Sequence, residues 1–72
     1  MEEITRVLTA RTARRELQDA RGNVFVAVRF DGGDVWVQCV KRDLLLVLDD
    51  MGDTRVWIKH NGHEWWVWGA RR

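Results

Sequence analysis

The chain contains no proline and only one cysteine. The lone thiol, Cys39, excludes an internal disulfide framework and suits a reducing compartment. No apolar run approaches the ~20 residues that span a bilayer. The opening stretch, MEEITRVLTAR, carries acids where a secretory signal would be basic, and it has no long apolar core. Together these absences predict a cytoplasmic protein with no membrane contact. Catalytic signatures are missing as well: no Ser-His-Asp arrangement, no phosphate-binding glycine loop and no paired carboxylates beside a base. A non-enzymatic protein without a cofactor is expected. His60 and His63 flank one turn, but a structural zinc site wants four ligands and Cys39 falls on a different hairpin, so no metal is expected. Asp49, Asp50 and Asp53 fit no EF-hand spacing and read as a solvated turn.

What is present begins with size. Seventy-two residues make one domain. A chain this short buries only about 60% of the surface its unfolded form exposes. Five tryptophans help to offset that, since each aromatic side chain buries roughly 150–250 Å². Net charge is +1, but it is unevenly spread. Residues 1–30 hold six Arg against four acids, residues 31–53 two cations against six Asp, and residues 54–72 four cations against one acid. A polyanion would meet the two ends of the chain and avoid the middle, provided the fold keeps these charges apart.

The most informative stretch is Thr54 to Trp68, TRVWIKHNGHEWWVW. Asn61-Gly62 lies between two runs of β-branched and aromatic residues and favours a two-residue hairpin turn. That turn sets His60 opposite His63, Lys59 opposite Glu64 and Trp57 opposite Trp66. Alternation then divides the hairpin into two faces. Val56, Ile58, Trp65 and Val67 form a core face. Arg55, Trp57, Lys59, Glu64, Trp66 and Trp68 form the other.

Upstream, Ile4, Val7 and Leu8 have helical spacing, and Met1 to Leu8 is read as a first helical turn or two. A clearer helix starts after Thr9, a good N-cap, and runs to Ala20 or Arg21. Ala10, Ala13, Leu17 and Ala20 form its narrow apolar stripe, with Arg11, Arg14 and Arg15 opposite. Gly22-Asn23 stops it. From Val24 the period becomes two. Val24, Val26, Val28 and Phe30 point one way, Phe25, Ala27 and Arg29 the other. Asp31-Gly32-Gly33-Asp34 is a turn. With Gly32-Gly33 as its centre, Arg29 faces Trp36 and a cation–π contact is expected. Val35, Val37 and Cys39 continue the first face, Trp36, Gln38 and Val40 the second. Leu44 to Leu48 is a continuous apolar run, read as a strand covered on both faces. Asp49 to Asp53 is the next turn.

Residues 1–22 therefore read as a helical N-terminus and residues 23–70 as a five-stranded sheet. The short breaks favour antiparallel neighbours. The expected class is α+β: a helix followed by a strongly bent antiparallel sheet, closed into a small SH3- or Sm-like barrel.

These pieces resemble the Sm-like fold, in particular bacterial Hfq-type RNA-binding proteins. The resemblance rests on the N-terminal helix, Asp31-Gly32 after the first strand, Asp43 after the second, the apolar Leu44–Leu48 run, and Lys59-His60 closing the fourth. It covers about residues 10–68. It implies a ring-shaped homo-oligomer with Lys59 and His60 at the inner rim against uridine-rich RNA, and Arg11, Arg14 and Arg15 assisting from the helix. The chain departs from the pattern at Val37, where the family usually has Gly, at Arg11, where it usually offers Gln, and in its Trp-rich last strand.

The function expected is single-stranded RNA binding, with bases stacked on Trp57, Trp66 and Trp68 and phosphates held by Arg55, Lys59 and His60. The alternative on the same Trp-rich face is a protein-interaction module, such as a small inhibitor or a phage-like regulator, because Trp and Arg are enriched in interface hot spots. Sugar binding on the indoles is a third reading.

Overall fold

A computed structural model describes residues 4–69. Met1 to Glu3, where the helical N-terminus was expected to begin, and residue 70, the expected end of the sheet, lie outside the described residues. In chain order the elements are β1 (Ile4–Thr9), α1 (Ala10–Gln18), β2 (Asn23–Phe30), β3 (Gly33–Cys39), α2 (Lys41–Met51), β4 (Arg55–His60) and β5 (Glu64–Gly69).

α1 forms as its cap predicts. Thr9 is extended, and its hydroxyl accepts the Thr12 amide at 3.2 Å. The free amides of Ala10 and Arg11 donate to the carbonyls of Thr54 and Gly52 in the α2–β4 connection. Ala10, Ala13 and Leu17 are fully buried. The small Ala10 and Ala13 let the helix axis lie close to its neighbours, and Leu17 fills the core. The helix ends at Gln18, short of the Ala20 or Arg21 expected.

Two elements differ from expectation. Residues 4–8 are strand, not helical turn: β1 pairs antiparallel with β4, Leu8 opposite Val56 and Arg6 opposite Ile58. Once a core strand is available to pair with, β-branched Ile4, Thr5 and Val7 gain more from the ladder than from an isolated helical turn. The Leu44–Leu48 run is helix, not strand. Leu is a strong helix former, and Leu44 and Leu48 stand one turn apart and are both buried. Gly52, expected inside a turn, is the helix C-cap with φ 58. The N-cap, Val40, makes no side-chain hydrogen bond, so the usual start signal is missing.

The sheet order is β1-β4-β5-β2-β3. It is open, with β1 and β3 as its edges, where a closed antiparallel barrel was expected. It is also mixed: β2 runs parallel to β5, with Phe25 beside Trp66 and Val26 beside Val67. The physical reason lies in two long connections. β1 and β2 run the same way and are joined through α1; β3 and β4 run the same way and are joined through α2. Each crossover leaves a gap, and the β4–β5 hairpin fills the centre of the sheet. α1 and α2 pack on each other and on one face only. Beneath them lie Val24, Leu44, Leu48, Val56, Ile58, Trp65 and Val67, with Ala10, Ala13 and Leu17 completing the core.

Both hairpins sit away from the expected register. Asp31 (φ 54) and Gly32 (φ 82) are the central turn residues, both in the left-handed region that a type I′ turn demands. Phe30 is opposite Gly33 and Ala27 opposite Trp36, so Arg29 does not face Trp36. In the second hairpin Lys59 pairs with Trp66 and Trp57 with Trp68. Asn61 keeps a negative φ; its side-chain carbonyl instead accepts the His63 and Glu64 amides at 3.1 and 2.9 Å, an Asx turn that lengthens the loop. This slip is even, so each side chain stays on its face. The expected core face of Val56, Ile58, Trp65 and Val67 is accordingly buried.

Candidate nucleic-acid interface

The helices leave the other sheet face uncovered. Two rows of side chains cross it. One runs Val7, Trp57, Trp68, Ala27, Trp36, following the β1–β4, β4–β5 and β2–β3 registers with Ala27 one step beyond the Val26–Val67 pair. The other runs Thr5, Lys59, Trp66, Phe25, Gln38. Trp57 and Trp68 stack at 6.0 Å between ring centroids and 7° between planes. Trp36 meets Trp68 edge-on at 5.4 Å. Their strands, β3 and β5, are not neighbours. The rings meet because the intervening residue, Ala27, is too small to separate them. In the second row Phe25 and Trp66 stack at 5.9 Å, and the Lys59 ammonium lies 4.6 Å from the Trp66 ring centroid. Arg55 is exposed on the same face, opposite Thr9. Trp36 is 45% exposed and Trp57 36%, with Trp66 and Trp68 half-buried between them.

The face expected from the hairpin is thus brought together for Arg55, Trp57, Lys59, Trp66 and Trp68. It is wider than expected, because Trp36 and Phe25 join it. Alternation along β2 and β3 marks both residues as lying on one side. Only the parallel β2–β5 pairing shows that it is the side bearing the hairpin indoles.

His60 does not join the site. It lies on the helix-covered side and stacks on Trp65 at 3.9 Å and 17°. Trp65 is itself buried and donates its indole N–H to the Arg21 carbonyl at 3.1 Å. Arg11, Arg14 and Arg15 do not join either. They ride on α1, behind the sheet. Arg11 pairs with Asp53 at 3.0 Å and Arg14 with Asp49 at 3.6 Å. The expected separation of charge along the chain is therefore partly undone in space: the cations of α1 meet the acids at the end of α2. Arg6, on the helix side of β1, binds Glu16 of α1 through two N–O approaches of 2.9 Å.

Cys39 lies on the helix side of β3, half-buried. Burial and, after it, the Asp43 carboxylate push its thiol above the ordinary range. The neutral thiol thus dominates at neutral pH, the opposite of a nucleophile's requirement. Among the described residues no three His, Cys, Asp or Glu side chains gather as a metal site would need. No described helix is long and apolar enough to cross a membrane. No protein-family model, curated protein or solved structure matches the chain.

Proposed function

We propose that the open sheet face binds single-stranded nucleic acid, RNA in particular, by stacking unpaired bases on Trp36, Trp57, Trp66 and Trp68 while Arg55 and Lys59 hold phosphates. The observation that carries this reading is the gathering of four indoles and Phe25 on the uncovered side of the sheet, with Lys59 poised over Trp66. A small domain that is short of core gains most by burying its tryptophans. Leaving two of them more than a third exposed costs apolar burial, and a ligand with flat apolar faces recovers it. Bases supply such faces at roughly 1–3 kcal/mol each, independent of sequence. The cations supply the salt-dependent remainder. Catalysis plays no part in this reading.

The test is a titration of labelled uridine-rich RNA at two salt concentrations. Binding should weaken steeply as salt rises. Trp57→Ala and Trp68→Ala should each lose about 5- to 150-fold in affinity, the equivalent of one stacked base. No binding at low salt refutes the reading. A partner whose affinity ignores salt and still needs Trp57 points instead to a protein-interaction module on the same face.

A further inference from the structure

The two edges of the sheet are built differently. An exposed edge strand presents unpaired N–H and C=O groups, and proteins usually guard it with an inward-pointing charge, a lysine, a proline or a bulge. β1 has such a guard in Arg6, which points to the helix side and is held by Glu16. β3, Gly33-Asp34-Val35-Trp36-Val37-Gln38-Cys39, has none beyond an acid near its start. It is rich in β-branched and aromatic residues, and it pairs with β2 regularly along its whole length. Its helix-side valines are also uncovered: Val35 is 44% and Val37 43% exposed. An open apolar groove lined by Val26, Cys39, Asp43, Leu44 and Val47 separates them from α2.

The turn fixes which backbone groups face outward. In a two-residue turn the flanking pair, Phe30 and Gly33, is hydrogen-bonded, so bonding to β2 recurs at Val35, Val37 and Cys39. The amides and carbonyls of Asp34, Trp36 and Gln38 point away from the sheet. This set is self-complementary. An antiparallel copy placed on a two-fold axis at Trp36 sets Trp36 against Trp36, and Asp34 against Gln38. All the outward groups of 34, 36 and 38 then find partners. The same operation sets Val35 against Val37 of the second copy on the helix side, at about 4.8 Å between strands. Four half-exposed valines become one cluster, and the second copy's strand walls the groove beside α2.

We propose that the chain forms a two-fold homodimer by antiparallel pairing of β3 with β3 of a second copy, joining two five-stranded sheets into one of ten. The proposal rests on the edge and does not need the nucleic-acid reading. Mass by light scattering and sedimentation over a dilution series should give twice the chain mass, falling to a monomer on dilution. Hydrogen exchange on the same samples should find the Trp36 and Gln38 amides protected in the dimer and fast after dilution. Val37→Lys puts a charge among the clustered valines. Gln38→Pro removes an outward N–H without touching the β2 ladder. Each should keep the far-ultraviolet circular dichroism of the parent and sediment as a monomer. A strict monomer, a larger ring, or a dimer whose Trp36 and Gln38 amides exchange as fast as exposed ones overturns the proposal. Exchange is read on the unmodified chain, so it remains decisive even where a variant fails to fold. RNA affinity is a separate readout, so either reading fails without the other.

Discussion

Ala27 is the smallest side chain in its row, and the aromatic surface depends on it. Trp36 and Trp68 touch across it at 5.4 Å. Replacing it with Leu should push the two rings apart. The expected result is a loss of the near-ultraviolet signal from the coupled indoles and a fall in RNA affinity. Gly22 sits at the opposite extreme, where space is absent. Its φ is +105, and a Cβ there would fall on the His63 backbone carbonyl. Gly22→Ala should destabilise the protein by about 1–3 kcal/mol through strain and clash, measured by urea unfolding. At Cys39 the raised thiol pKa has a direct consequence. Less thiolate is present at any given pH below that pKa, so alkylation by iodoacetamide at pH 8 should be slower than for a free cysteine, and should catch up only at higher pH.

Among the elements, α2 is the one whose start is least well signalled and whose middle matters most. Leu48 of α2 is 1% exposed and belongs to the core shared by both helices and the sheet. Leu48→Ala should cost about 2–5 kcal/mol, read as a shifted denaturation midpoint with an unchanged slope. Val40, by contrast, is an exposed N-cap in extended conformation with no side-chain bond to offer. Val40→Asp should stabilise the protein by about 0.5–2 kcal/mol, because it supplies the missing acceptor to the first turn. The absence of that acceptor is also why Leu44 to Leu48 reads as a strand in the sequence. A five-residue apolar run matches a buried strand and a helical segment equally well. Only the pairing of Leu44 and Leu48 with a core above the sheet decides between them. α1 was legible by comparison, because Thr9 states its start and Ala10, Ala13 and Leu17 state its buried side.

On the scale of the whole molecule, the sheet separates two kinds of charge. On the helix side Arg11 and Arg14 meet Asp53 and Asp49 in exposed pairs that contribute little to stability. On the open side Arg55 and Lys59 share the face with the indoles and with Glu64 at the start of β5. Added salt should therefore move the melting temperature little while weakening RNA binding strongly. Replacing Arg55 or Lys59 with Ala should lower the slope of log affinity against log salt by about 0.7 for each phosphate that is no longer neutralised. Arg11→Ala should leave the slope as it is. If β3 pairs with a second copy, the row of Trp57, Trp68 and Trp36 meets its counterpart through Trp36. The binding face would then double in length.

Much of the candidate site was set locally, and so could be read from residue order. Alternation at a period of two assigns Trp57, Trp66 and Trp68 to one side of their hairpin and Val56, Ile58, Trp65 and Val67 to the other. That assignment survives a register slip of two residues because the slip is even. The cap at Thr9 and the left-handed pair Asp31-Gly32 are local in the same sense. Which strands lie side by side is not local. Nothing near Phe25 or Trp36 announces that β2 will run parallel to β5, because the pairing is made by α1 carrying the chain over two strands that come much later in sequence. The long connections therefore settled what the short-range pattern left open: an open mixed sheet in place of a closed antiparallel one, the α1 arginines placed behind the sheet, and two further aromatic rings brought to the face in front, whereas His60, two residues beyond Ile58, takes the helix side by alternation alone.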